Sequence, residues 1–137
     1  MQDCYTDNAK FSDPVFTNLN ARQVRAMWEM FCTKSHDLQI EYKNISANDT
    51  SGKGEWIATY TFSKTGRQVV NHIYSEFSFL NGKIVKHTDR FNFYKWCSQA
   101  LGTTGKLLGW SGFIQSKIRA GGTKSLYHFM NSNLEQS

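Results

Sequence analysis

The dipeptide Asn81-Gly82 separates two alternating runs, residues 69–80 and 83–93, and restricts the fold more than any other feature of the chain. Asn and Gly tolerate the positive φ angles that a two-residue type I′ turn requires, so the two runs are predicted to pair as a long antiparallel hairpin. Successive strand side chains point to opposite faces. Val69, Asn71, Ile73, Ser75, Phe77 and Phe79 therefore share one face of the first run, and Val85, His87, Asp89, Phe91 and Phe93 share one face of the second. Each face places polar residues among apolar ones. Taken singly, such groups are satisfied by local hydrogen bonds or sit at a wet edge. Asn71, Ser75, His87 and Asp89 together on adjacent strands favour a lined pocket.

The segments before the hairpin extend the sheet. Leu38, Ile40 and Tyr42 alternate with polar neighbours, as do Trp56, Ala58, Tyr60 and Phe62, and Lys64-Thr65-Gly66 turns the second of these strands into the hairpin. Four consecutive antiparallel strands are expected. Ahead of them, Asn20 and Gln23 have the spacing of a capping box, and Val24, Met27, Trp28 and Phe31 follow at helical intervals, predicting an amphipathic helix over 21–34. Residues 1–5 read as the tail of a helix, Thr6-Asp7-Asn8 as a turn, and residues 10–16 as a short edge strand or bulge. Pro14 pushes Asp13 into an extended conformation and so fixes its direction.

Beyond Trp96 the pattern becomes helical, interrupted by Gly102, Gly105 and Gly109. Ile114, Ile118, Gly121, Ser125, Leu126, Phe129 and Met130 then trace one side of a helix of about five turns. Gly121-Gly122 costs about 1 kcal/mol per residue relative to Ala in a helix interior, so the helix is either weak or closely packed there.

The 137 residues are expected to form one domain, and ten Phe, six Tyr and four Trp supply its core. A net charge of +5 is spread over scattered Lys and Arg, without the consecutive basic run that would point to nucleic acid. Cys4, Cys32 and Cys97 lack the C-x-x-C or Cys/His spacing of a zinc site, so no metal or other cofactor is expected, and reduced thiols suit a cytoplasmic protein. No signal peptide pattern opens the chain, and no apolar run is long enough to cross a membrane as a helix. Thr104-Gly105-Lys106 is not a phosphate-binding loop, because Leu107 follows the lysine and the glycine spacing is missing.

In order and spacing, CYTDNAKFSDPVF, a helix containing Met27-Trp28, YTFSKTGRQVVN, FSFLNGKIVKHTDRFNFYKW and LGTTGKLLGW resemble a known group. It is the SnoaL-like and ketosteroid isomerase-like branch of the nuclear transport factor 2-like superfamily. The resemblance covers nearly the whole chain. It implies an α+β fold, a cone-shaped, curved antiparallel sheet (cystatin-like) wrapped around helices, with a long C-terminal helix and an apolar cavity. Family members place a further helix before the segment matching Cys4-Tyr5, and its absence from this sequence implies a cavity that is more open or covered by a neighbouring chain.

The segment ending in Asp13-Pro14 resembles the one that carries the catalytic Asp of ketosteroid isomerase, an enzyme whose Asp base faces a Tyr and a protonated Asp. The position of that protonated Asp matches Ser75 here, which cannot play the same electrostatic part, and the Tyr partner lies on the helix this sequence lacks. His87 and Asp89 match the strand in which SnoaL-like cyclases hold acid–base residues. The resemblance thus implies a catalytic set of Asp13, His87 and Asp89 in a pocket lined by Phe11, Phe16, Trp28, Tyr60, Asn71, Ser75 and Phe91. Asp13 also has a purely structural reading, as a turn residue capping nearby amides.

Three functions follow. The first is acid–base chemistry on a small apolar molecule by an isomerase, cyclase or epoxide hydrolase-like enzyme. The second is non-catalytic binding of such a molecule. The third is an interaction module, a homodimer built on the open face of the sheet through His72, Tyr74, Glu76 and the Trp56 or Tyr60 set.

Overall fold

The computed structural model describes residues 4–34, 37–102 and 112–136. Six strands form one curved, unclosed sheet in the order β2-β1-β6-β5-β4-β3. They are β1 (Tyr5–Ser12), β2 (Leu19–Asn20), β3 (Gln39–Ala47), β4 (Ser51–Phe62), β5 (Arg67–Leu80) and β6 (Lys83–Arg90), joined by helices α1 (Ala21–Lys34), α2 (Phe93–Leu101) and α3 (Gly112–Gln136). The four strands β3 to β6 pair antiparallel in sequence order, as expected. Asn81 and Gly82 turn the β5–β6 hairpin with φ of 53° and 79°, the left-handed pair of a type I′ turn.

The start of the chain departs from the sequence reading. Tyr5 opens a strand instead of ending a helix, and β1 runs parallel to β6 with Tyr5 opposite Ile84 and Lys10 opposite Lys86. Thr6-Asp7-Asn8 do not break the strand. Their turn preference is absorbed in the register shift between Tyr5 and Lys10, where Thr6 donates to Asn8 and Asp7 pairs with Arg25. Burial of Tyr5, Ala9 and Phe11 against α1 outweighs the local signal.

Two further corrections concern the hairpin's second run. A register shift in β6 carries the pairing from Ser78–Lys86 to Phe79–Ile84, which leaves Val85 as the extra residue and gives the buried place beside Phe79 to Ile84. The strand ends at Arg90, and Phe93 belongs to α2, where Asn92 caps the helix by accepting from the Lys95 amide. In β3, an edge strand paired only to β4, Ile40 and Tyr42 of the alternating apolar set are exposed, as is Ile45.

Helix α1 has the predicted bounds, with Val24 and Met27 buried and Trp28 and Phe31 packed partly buried beneath the sheet. Its capping box is complete: the Gln23 amide donates to Asn20 Oδ1 and the Asn20 amide to Gln23 Oε1, both at 2.9 Å. Asn20→Ala is expected to cost about 1 kcal/mol in urea unfolding, and a loss below a few tenths would mean the cap is redundant.

Helix α3 is longer than its apolar stripe suggested, spanning 25 residues. A β-carbon on its Gly122 would lie 3.0 Å from Val15 Cγ1, so the glycine marks a close approach of the helix to the turn that carries Asp13. Gly105, Gly109 and the Thr104-Gly105-Lys106 triplet lie outside the described residues. Trp56 and Tyr60 face inward, so of the residues expected on the open face, His72, Tyr74 and Glu76 are the ones found there.

Candidate functional site

Between the inner face of the sheet, α1 and α3 lies a cavity of about 500 Å³. Its walls are apolar, built by Phe16, Met27, Trp28, Phe31, Ile73 and Phe91, among others. Four polar side chains reach it from the interior: Asp13, Tyr60, Asn71 and Asp89.

Asp13 is placed by the turn that Pro14 opens. Its Oδ1 accepts the backbone amides of Val15 at 2.8 Å and Phe16 at 2.7 Å, and its own amide donates to the Phe16 carbonyl. The capping role and the pocket role therefore fall on one residue. One oxygen is fixed by the turn, while Oδ2 takes no hydrogen bond among the described residues. Burial pushes the Asp13 carboxyl up to about 6, against the opposing pull of the two amides, and the neighbouring Asp89 charge adds to the rise.

Tyr60 and Asn71 supply the donors. Tyr60 Oη accepts the indole N–H of Trp96 at 2.8 Å, which leaves its own O–H to point elsewhere, and burial raises its pKa above that of an ordinary phenol, so it stays protonated as a donor. Asn71, on β5, is only 7% exposed, yet its amide has no hydrogen-bond partner among the described residues, so its free groups face the cavity. Its side-chain atoms keep access to the cavity, so the amide can donate to a ligand oxygen there.

Asp89 stands at the end of a buried network. Ser75 Oγ donates to Asp89 Oδ1 at 2.5 Å, His87 Nε2 lies 2.6 Å from the same oxygen, and Trp56 Nε1 donates to Ser75 Oγ at 2.8 Å. On the other side, His87 Nδ1 lies 2.8 Å from Tyr5 Oη, which accepts the indole N–H of Trp28 at 2.9 Å. Donors and acceptors balance when Tyr5 O–H donates to Nδ1 and Nε2–H donates to Asp89. Both nitrogens of His87 are then consumed within the protein. His87 and Ser75 do not line the Asp13 cavity but stand behind its wall, against a second apolar hollow under β3.

Asp13, Phe16, Trp28, Tyr60, Asn71, Asp89 and Phe91 are thus brought together, whereas Phe11 is wholly buried in the core, edge-on to Trp28 and His87. Sequence reasoning missed Tyr5, Trp56 and Trp96. Trp56 and Trp96 carried apolar signals only, and nothing local in the sequence shows that their N–H groups anchor Ser75 and Tyr60. Among the described residues no three His, Cys, Asp or Glu side chains cluster as a metal site, and no helix is long and apolar enough to cross a membrane.

A curved sheet packed over helices around an apolar, carboxylate-bearing cavity is the fold of SnoaL-like proteins of the nuclear transport factor 2-like superfamily. The SnoaL-like domain family matches residues 1–87, and the chain belongs to that family. No curated protein matches the sequence. A protein of ketosteroid isomerase-like fold from Catenulispora acidiphila, solved with trimethylamine, is 6% identical with a TM-score of 0.63, over 72% of this chain and 78% of that one. An LEH-like epoxide hydrolase of M. tuberculosis is 14% identical with a TM-score of 0.60, covering 78% and 77% of the two chains. IdmH of Streptomyces antibioticus, proposed to be a polyketide cyclase, is 16% identical with a TM-score of 0.60, over 74% and 84%. At these identities the likeness concerns the fold.

Proposed function

We infer that the protein is an acid–base enzyme acting on a small, mostly apolar molecule, with Asp13 as the proton-transferring group. The observation that carries this reading is a carboxyl raised to about 6 by burial in an apolar cavity that Tyr60 and Asn71 also line. A base in that range is well matched to proton transfer near neutral pH.

The reaction that suits these groups best is enolisation. Asp13 Oδ2 removes a proton from a carbon next to a carbonyl, while Tyr60 O–H and Asn71 N–H donate to the oxygen on which negative charge develops. The protonated Asp13 then returns the proton to another carbon of the dienolate, completing an isomerisation, or the enolate attacks an electrophilic carbon of the same molecule, closing a ring. Asp89, held by Ser75 and His87, keeps a second charge at the cavity floor and supports the raised Asp13. The structural neighbours include an epoxide hydrolase and a protein proposed to be a polyketide cyclase, and epoxide opening here would use Asp13 on a water instead.

The test is solvent deuterium exchange at the α-carbon of a panel of enolisable ketones, followed by NMR, with epoxides assayed for diol formation. If Asp13 is the base, activity rises with pH through about 6 and levels above it. A parent protein that binds the ketones without exchanging them would identify a binder.

Dimerisation through the open face is part of this proposal: Val70 and Tyr74 stand half exposed there beside His72. Light scattering should give twice 15.8 kDa at tens of micromolar, and a monomer mass would remove the dimer.

A further inference from the structure

We propose that the ligand of the Asp13 cavity is an amphipathic anion, with an apolar body carrying the reactive group inward and an acidic group held at the mouth. The inference rests on the reading of this cavity as the ligand site and adds the chemistry of the ligand's outer end.

Charge is distributed unequally along the cavity. Its buried end holds the carboxyl groups of Asp13 and Asp89, while its exposed lining residues include Lys34, Lys64 and Lys117. These lysines come from separate elements: the last turn of α1, the turn between β4 and β5, and α3. Among the described residues no Asp or Glu other than Asp13 and Asp89 lines the cavity. Lys64 leans across toward α3, its ammonium 3.8 Å from where a β-carbon on Gly121 would stand. Neither Lys34 nor Lys64 forms an ion pair among the described residues.

A ligand entering this field is oriented by it. An acidic group is repelled from the two interior carboxylates and attracted to the lysines, so the apolar body fills the interior and the acid stays outside. A neutral ligand gains nothing from the rim. The anionic group is a carboxylate or a phosphate, and the same charges serve either.

The experiment titrates the full chain with decanoate, decyl phosphate and methyl decanoate, reading the fluorescence of Trp28, Trp56 and Trp96, which line the cavity. At about 20 mM salt the two anions should bind at least fivefold more tightly than the ester, and the advantage should vanish near 0.5 M salt. Lys34→Gln and Lys64→Gln should each weaken anion binding about two- to fivefold and leave the ester unchanged, because exposed single charges contribute modestly. Lys10→Gln, an exposed lysine away from the cavity, should change neither. A preference for decanoate over decyl phosphate, or the reverse, assigns the acid. Equal binding of acid and ester, or insensitivity to both rim substitutions, overturns the inference and leaves the proton-transfer reading standing. Failure of every probe, the ester included, overturns both.

Discussion

Asp13→Asn should remove turnover and, above pH 6, make the protein more stable. The carboxyl titrates at about 6 in the folded chain and at 3.8 when unfolded. Between those values the folded state retains a proton that the unfolded state has released, so the contribution of Asp13 to stability declines as pH rises from about 4 and levels off above 6. The shift of about two units corresponds to roughly 3 kcal/mol, and partial solvent access at the cavity reduces this to about 2. Asn keeps an oxygen for the Val15 and Phe16 amides and carries no charge to desolvate. The variant should therefore match the parent in urea unfolding near pH 4 and exceed it by about 2 kcal/mol at pH 8. Turnover of any ketone the parent accepts should fall about 10²- to 10⁴-fold. A loss of stability at both pH values would assign Asp13 to the turn alone, and unchanged turnover would remove it as the base.

The second large effect is expected at Asp89. Its Oδ1 is the shared partner of Ser75 Oγ and His87 Nε2, all three residues being almost fully buried. Asp89→Ala leaves both donors without their acceptor. Removing one partner from such a buried set costs about 3–5 kcal/mol, a large share of what holds a domain of this size. Ser75→Ala deletes one donor and leaves Asp89 bound to His87, so about 1–2 kcal/mol is expected. The Asp89/His87 double variant should be less destabilised than the sum of its single changes, because the second substitution removes a group already stranded by the first. Additive losses, or a cost under 1 kcal/mol for Asp89→Ala, would show that the network does not bind β5 to β6 as its geometry indicates.

The two carboxylates thus differ in what they do for the chain. Asp89 is surrounded by donors and contributes cohesion, whereas Asp13 is only half satisfied and lowers stability at neutral pH. A destabilised group retained in a cavity fits the proposed proton-transfer role, as a stability–activity conflict.

Much of this was legible in the chain itself, wherever the signal was local. Asn81-Gly82 determined the hairpin, because few other pairs accept positive φ twice. Asn20 and Gln23 determined where α1 begins, and alternation determined which face of β4 and β5 turns inward. The order of these segments sufficed for the fold family, Asn71, Ser75, His87 and Asp89 could be singled out as polar residues in apolar settings, and Asp13 by the resemblance of its Asp-Pro segment. Tertiary structure decided what depends on partners distant in sequence. The pairing of β1 with β6 overrode the turn signal of Thr6-Asp7-Asn8, since burying Tyr5 and Phe11 is worth more than a local preference. The bulge at Val85 exchanged it for Ile84, a shift invisible to strict alternation. His87 was expected beside Asp13 and Asp89 in the catalytic set, but Tyr5, 82 positions away, claims its second nitrogen and draws it into the wall. Only the folded chain fixes which polar groups inside the cavity remain unspent, and among the described residues these are Asp13 Oδ2, the Asn71 amide and the Tyr60 hydroxyl, because hydrogen bonds between remote residues form only when packing brings their ends together.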